Sequence, residues 1–197
     1  VHDLIPFKYP QTTTDSIRNA HKKRLAWVMR ESKKIIAVSE STKKDLISIL
    51  RIPEEKIVVI PEGVEERYTP QPPSLIDMAR KHYKTGDDYL FTLSTVEPRK
   101  NQQALIEAFK TVRKKFPDLK LLIGGRIRSD LDLTPTEGVI TPGYIPDADL
   151  PALYSGCSAF VLPSLYEGFG LSPLQAMACG AAVAVSNVSS LPEVVGD

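Results

Sequence analysis

The 197-residue chain has two cysteines, Cys157 and Cys179, 22 positions apart and in no paired pattern. That argues against a disulfide framework and suits a reduced, cytoplasmic compartment. Its three histidines, His2, His21 and His82, have no ligand spacing, and no Asp-x-Asp cluster is present. No metal site is expected from such a set. No apolar run nears the roughly 20 residues that span a bilayer. Neither charge dominates: 25 Lys+Arg against 24 Asp+Glu leave a net charge of +1. Nothing in that balance points to nucleic acid. No Gly-x-Gly-x-x-Gly follows a candidate strand, which counts against a nicotinamide dinucleotide, and no other cofactor is indicated. The chain also lacks an initiator Met and stops in mid-pattern at Pro192-Glu193-Val194-Val195-Gly196-Asp197. We therefore expect a piece of a longer protein.

What is present is an ordinary globular composition, 42% hydrophobic and 25% charged. Residues 1–13 read as a loop, and Thr14 or Asp15 can cap a helix to about Lys34. Ile17, Ala20, Leu25 and Val28 fit its apolar face. Its other face is basic, with Arg18, Lys22, Lys23, Arg30, Lys33 and Lys34. Such a face is usually just solvated; the alternative is peripheral contact with an anionic membrane surface. Residues 35–38 and 56–60 read as buried strands around a helix opened by Ser39 or Ser41 and closed by Pro53. Tyr68-Thr69-Pro70-Gln71-Pro72-Pro73 then reads as a semi-rigid connection, with a short helix near 75–82.

From Tyr89 onward strands and helices alternate. Strands are expected at 89–93, 119–123, 139–141, 159–162 and 182–185. The helix after Asn101 carries Leu105, Ala108, Phe109, Val112 and Phe116 on one face. A polar surface loop is expected over 126–137, and Asp147 or Asp149 as the cap of a short helix. Alternation of this kind predicts an α/β fold with a Rossmann-like, doubly wound parallel sheet. We divide the chain into 1–64, a linker over 65–87, and 88–197.

One stretch stands out within that pattern. Residues 163–180 run from a strand end through Glu167-Gly168-Phe169-Gly170 into a helix stopped by Gly180. Ser172 with Gln175 has the spacing of a capping box, and Pro173 suits the first turn. A glycine turn before a helix N-terminus favours an anionic ligand such as a phosphate. At the carboxyl end of a parallel strand, it also lies where ligands of open α/β sheets bind.

The residues resemble a family at this point. Glu167-Gly168-Phe169-Gly170-Leu171 followed by Ala176-Met177-Ala178-Cys179-Gly180 resembles the signature of retaining glycosyltransferases of family four, which have the two-domain GT-B fold. Glu97-Pro98-Arg99-Lys100-Asn101, Gly143-Tyr144-Ile145-Pro146-Asp147 and Ile60-Pro61-Glu62-Gly63-Val64 match further segments in order. His2-Asp3 resembles the family's His at a strand end of the N-terminal domain. The resemblance covers nearly the whole chain. It implies that 1–64 is the last part of an acceptor-binding N-terminal domain and 88–197 most of a nucleotide-sugar domain.

The resemblance also assigns roles. Glu167 would contact the donor sugar, and His2 would reach it from the other domain. Lys100 and Arg99 would stabilise the departing diphosphate without a metal. Gly168, Phe169, Gly170, Leu171, Gly125, Tyr144 and Ile145 would line the donor site, the last two through backbone near the base. The implied reaction moves a sugar from a nucleotide diphosphate to a hydroxyl of a saccharide or lipid-linked acceptor, with retention. The Glu-Pro-Arg-Lys-Asn form resembles mannosyltransferases of surface polysaccharide assembly, which favours GDP-mannose as donor.

Two departures and two rivals stay open. Gln175 stands where the family usually has a second Glu for the ribose hydroxyls. It reads either as a ribose partner or as half of a capping box. Thr95 stands near the position of a family Arg, and by resemblance that role would pass to Arg99. The rival from another class is a module that binds a nucleotide sugar without turnover. An epimerase of the same fold is a third reading, which the Glu-Gly-Phe-Gly motif fits less well.

Overall fold

The computed structural model describes residues 1–126, 133 and 135–196. Most of the expected 126–137 loop lies outside the described residues. The chain divides into two units. The first holds Val1–Gly63, Tyr166–Gly170 and Asn187–Asp197; the second holds Val64–Leu165 and Leu171–Ser186.

In the first unit, helix α1 (Ile5–Lys8) and a 3-10 turn over Pro10–Thr12 occupy the stretch expected as a loop. Pro at the start of each turn costs nothing there, because its missing N–H would be an orphan anyway. Helix α2 (Asp15–Glu31) starts on Thr14, whose side chain accepts from the Ile17 amide. Strand β1 (Ile35–Ala37) pairs in parallel with β2 (Ile57–Val59). Between them, α3 (Glu40–Leu50) is capped by Ser39 and ends on left-handed Arg51. The core is Leu4, Leu25, Ile35, Ala37, Leu46, Ile52 and Ile57, with Val28 and Met29 of α2 against it. The helix face is therefore shifted from the expected stripe: Ile17 is 49% exposed and Met29 takes a place in the core instead.

A second, remote cap also holds α3. The carboxylate of Glu193, on α8 (Leu191–Val195), accepts from the Glu40 and Ser41 amides at 2.7 and 2.8 Å. It satisfies donors that no residue within α3 can reach and complements the positive end of the helix.

The second unit is a five-stranded parallel sheet in the order β5-β4-β3-β6-β7. Its strands are β3 (Tyr89–Leu93), β4 (Lys120–Gly124), β5 (Val139–Gly143), β6 (Ala159–Leu162) and β7 (Val183–Val185). Helix α4 (Pro73–Tyr83) precedes them, and α5 (Gln102–Arg113), α6 (Leu150–Gly156) and α7 (Leu171–Ala178) lie between successive strands. The stretch expected as a linker thus carries α4, which packs on α6.

The strands' period of two sorts the core into faces. Leu121 and Ile123 join Leu105, Ile106 and Phe109 of α5 on one face. Phe91 and Phe160 point the other way onto Tyr154 of α6, with ring centroids 5.3 and 5.4 Å from it. The α5 stripe runs out early, because Phe116 lies beyond the helix and is 60% exposed. Asp149 sits at the start of α6 but does not cap it with its side chain; its carboxylate accepts from Tyr83 Oη at 2.6 Å. Cys157 and Cys179 are free, and burial pushes their thiols up to about 12 and about 11. Both therefore stay protonated and poorly nucleophilic at neutral pH.

This division predicts unequal costs for two phenylalanines. Phe160→Ala should lose about 3–5 kcal/mol, while Phe116→Ala should stay within about 0.5 kcal/mol of the parent. Urea unfolding of the two variants measures both, and equal losses would contradict the packing described.

Candidate functional site

In the second unit, β3 connects through α5 to β4 on one side, and β6 connects through α7 to β7 on the other. β3 and β6 are neighbours, so the chain diverges from between them. That is a topological switch point, where open α/β sheets leave a crevice at the carboxyl ends of the strands. The loops leaving these two ends meet. The Leu165 amide donates to the Arg99 carbonyl at 2.8 Å, and Asn101 Nδ2 donates to the Pro163 carbonyl at 3.3 Å. Asn101 adopts a left-handed conformation, φ 58°, which Asn tolerates better than most residues.

The loop after β3 is built to hold a shape. Gln102 Nε2 donates to Ser94 Oγ at 2.7 Å and to the Thr95 carbonyl at 3.0 Å. A 3-10 turn over Pro98–Lys100 carries the two basic candidates. Arg99 is buried and its guanidinium meets Glu97 Oε1 at 2.5 Å. One part of its fork is thus spent inside the protein. Lys100, next to it, is half-buried.

The neighbouring strand ends supply backbone. Gly125 has φ +126°, and a Cβ there would lie 2.0 Å from the Ser94 carbonyl oxygen. Only glycine fits that approach. Tyr144 is 62% exposed and its ring lies 5.9 Å from the Arg126 guanidinium. It does not pack on Tyr154. Ile145 is buried, with its side chain over Gly124, so only its backbone can meet a ligand.

At the start of α7 the capping box is not formed. The helix begins at Leu171, so Ser172 lies inside it. Gln175 Oε1 instead accepts from Tyr154 Oη at 3.3 Å. The reason is burial: Tyr154 is fully enclosed, and an enclosed hydroxyl needs partners. Leu171 is partly exposed at the helix start.

The remaining candidates belong to the first unit. Residues 166–170 have no ladder to pair with, and hydroxyl side chains take its place. Ser190 Oγ donates towards the Glu167 and Phe169 carbonyls at 3.0 and 2.5 Å. The Glu167 amide donates to Ser189 Oγ at 2.8 Å. Ser39 Oγ donates to the Gly168 carbonyl at 2.6 Å, and Thr42 Oγ1 lies 3.1 Å from that oxygen and 3.2 Å from the His2 carbonyl. A Cβ on Gly168 would sit 2.1 Å from the His2 carbonyl oxygen. His2 and the Glu167 loop are thereby brought together, through backbone.

A buried anchor precedes Glu167. Tyr166 Oη hydrogen-bonds Asp45 Oδ2, while Lys8 Nζ donates to Asp45 Oδ1 at 2.8 Å and lies 4.6 Å from the Tyr166 ring centroid. Burial, and then the Asp45 bond, hold the Tyr166 phenol well above its ordinary value, so it remains a donor. The His2 side chain is 80% exposed, with Nδ1 2.6 Å from Glu62 Oε1. A carboxylate only accepts, so this bond calls for a proton on Nδ1 and turns Nε2 away from Glu62. Sequence reasoning missed Glu62, Asp45 and the serine pair. Only Glu62 had a signal, as the odd residue in an Ile-Pro-x-Gly-Val link.

Among the described residues no group of His, Cys, Asp and Glu could hold a metal. The recess between α4 and α6, about 310 Å³, contains none of the candidate residues.

Residues 76–197 match the family described as Glycosyl transferases group 1, and residues 1–68 match Glycosyltransferase Family 4. The chain belongs to the group 1 glycosyltransferases. It is 35% identical to the O-antigen chain mannosyltransferase B of Escherichia coli, over 100% of this chain and 54% of that protein. It is 34% identical to the serotype-specific mannosyltransferase WbdA of E. coli, over 99% of this chain and 26% of that protein. The chain thus spans about half, or a quarter, of the length of these relatives. The crystal structure of Anabaena HepE with UDP and glucose superposes with a TM-score of 0.81 at 21% identity, over 100% of this chain and 54% of that one. WaaG, a glycosyltransferase of lipopolysaccharide biosynthesis, gives 0.72 at 16% identity, over 99% of this chain and 57% of that one. The fold is the α/β GT-B type.

The hydroxyl-held loop makes a local prediction. Ser190→Ala leaves two buried carbonyls short of a donor, at about 1–3 kcal/mol. Amides of 166–170 should then exchange with solvent roughly 5- to 150-fold faster, while β6 is unchanged. Mass-spectrometric hydrogen exchange reads this directly, and unaltered exchange would show that the loop is held otherwise.

Proposed function

We propose that the protein transfers a sugar, mannose by preference, from a nucleotide diphosphate donor to a hydroxyl of a saccharide or lipid-linked acceptor, with retention at the anomeric carbon. The observation that carries this reading is the meeting of the β3 and β6 loops at the switch point, with Lys100 on one loop and the start of α7 after the other. A diphosphate there has an ammonium beside it and free helix N–H groups facing it. Family membership supplies the reaction class, the E. coli mannosyltransferases favour mannose as the sugar, and we take GDP-mannose as the donor. We assign the first unit to the acceptor side and the second to the nucleotide sugar, at work in the cytoplasm against the inner face of a membrane.

In this reading the acceptor oxygen bonds to the anomeric carbon as the bond from that carbon to the diphosphate breaks. The acceptor proton passes to the departing phosphate oxygen on the same face. Lys100 stabilises the charge that develops on the diphosphate. Arg99 braces that turn through Glu97 rather than opening its whole fork to phosphate. Glu167 holds the sugar hydroxyls, and His2, through Nε2, accepts from one of them. Gly125, Gly168, Phe169 and Gly170 offer backbone, as do Tyr144 and Ile145 towards the base.

Gln175 gives the rival reading its support. With its oxygen turned to Tyr154, it brings no carboxylate to a ribose and keeps only a neutral amide, which suits a module that binds without turnover. Calorimetry with GDP and guanosine, together with a turnover assay using GDP-mannose, separates the two. We expect tighter binding of GDP than guanosine, and measurable mannose transfer. Lys100→Ala should weaken GDP by about 10- to 100-fold, the worth of one charge-assisted bond, and leave guanosine unchanged. GDP affinity within threefold of the parent would sink the role of Lys100, and binding with no turnover would favour the rival.

A further inference from the structure

His2 and Glu62 are 60 positions apart, and their side chains meet. Both belong to the first unit, which fixes the backbone on either side of the contact. Thr42 Oγ1 lies 3.2 Å from the His2 carbonyl oxygen, and Asp3 Oδ1 accepts from the Ile5 amide at 2.9 Å, where α1 begins. On the other side, the Ile60 amide donates to the Ala37 carbonyl at 2.9 Å. That bond carries the β1–β2 pairing up to Pro61, whose ring restricts the chain just before Glu62.

The imidazole is held differently. Its side chain is 80% exposed, so packing does little to orient it. Glu62 is the more sheltered partner, at 25%, and its Oε1 lies 2.6 Å from His2 Nδ1. An exposed pair of this kind adds little to stability. What it can fix is the place of a proton. In the neutral ring one nitrogen carries the proton and the other a lone pair. A carboxylate only accepts, so Glu62 keeps the proton on Nδ1 and leaves the lone pair on Nε2. An amide at this position would accept or donate equally well, and so would select neither form.

We infer that Glu62 is a positioning residue for His2: it holds the ring in the Nδ1–H form and presents Nε2 as the acceptor of a sugar hydroxyl. The sugar's part rests on the transferase reading above; the tautomer does not. Glu62 itself stays off the sugar and acts through the ring, as a partner that orients a group already placed in the site. The pairing also bears on specificity. A lone pair at Nε2 is served by an O–H and left unserved by an analogue that lacks it.

Nitrogen-15 spectra of the imidazole rings read the tautomer directly, with His2→Gln identifying the signal among the three histidines. At about pH 8.5, above the ordinary imidazole range, His2 should carry its proton on Nδ1. In Glu62→Gln, which keeps the size but offers an amide, the ring should return to the Nε2–H form that imidazole favours in water. Calorimetry supplies the functional half. The ratio of GDP-mannose to GDP affinity isolates the sugar, because GDP lacks it. Glu62→Gln and His2→Ala should each lower that ratio about three- to tenfold, and the double variant should lower it no further than His2→Ala alone. A merely structural Glu62 would leave the tautomer as it is and add its loss to that of His2→Ala. An Nε2–H ring in the parent, the same tautomer in Glu62→Gln, additive losses, or a ratio that neither variant moves would each overturn the proposal. If neither GDP nor GDP-mannose binds the parent, the transferase reading fails and takes the sugar contact with it, while the ring spectra by themselves sustain or overturn the pairing.

Discussion

The parallel pairing of β3 with β6 is the contact on which the second unit depends. It joins segments far apart in sequence, with Leu90 opposite Ala159 and Phe91 opposite Phe160. Because the connections leave in opposite directions, nothing in the sheet fills the space above the seam. The pairing also fixes where the two loops leave. It sets Arg99 against Leu165 and Asn101 against Pro163, and with them the position of Lys100. The aromatic cluster of Phe91, Tyr154 and Phe160 lies under the same seam, so packing and site share one foundation.

A different kind of bonding holds Glu167. Residues 166–170 turn too sharply for a strand, yet most of them are buried. Buried backbone must find partners, and short hydroxyl side chains supply them from Ser39, Thr42, Ser189 and Ser190. Each is small enough to let the backbone approach closely, which Gly168 also requires. The cost of this solution is its dependence on few atoms: the Ser190 hydroxyl alone serves two carbonyls, those of Glu167 and Phe169. The Lys8–Asp45–Tyr166 cluster then ties the start of the loop to α1 and α3.

The parallel sheet was legible in the sequence because short apolar runs, separated by helices, admit few other architectures. The Glu167 turn was legible for a similar reason, since glycines beside a carboxylate at a strand end have few uses. What stayed hidden were the contacts that cross long distances. Glu193 caps α3 from the far end of the chain, and neither sequence segment announces the other. Ser172 and Gln175 have capping-box spacing, but the buried phenol of Tyr154 takes the Gln175 amide oxygen and α7 starts before Ser172. The α5 stripe looked long enough to bury Phe116, but the helix ends at Arg113. Arg99 looked like an open fork because Glu97, two residues before it, reads as part of a turn rather than as its partner.

These points converge on the proposed seat of a diphosphate: over the β3–β6 seam, between the Lys100 turn and the start of α7. Hydrogen exchange with and without saturating GDP tests it most directly. The account predicts slowed exchange in 94–101 and 163–172, with no change at 116–119, which lead into the amino end of β4. Protection centred on the α4–α6 recess, or none in either loop at saturation, would contradict it.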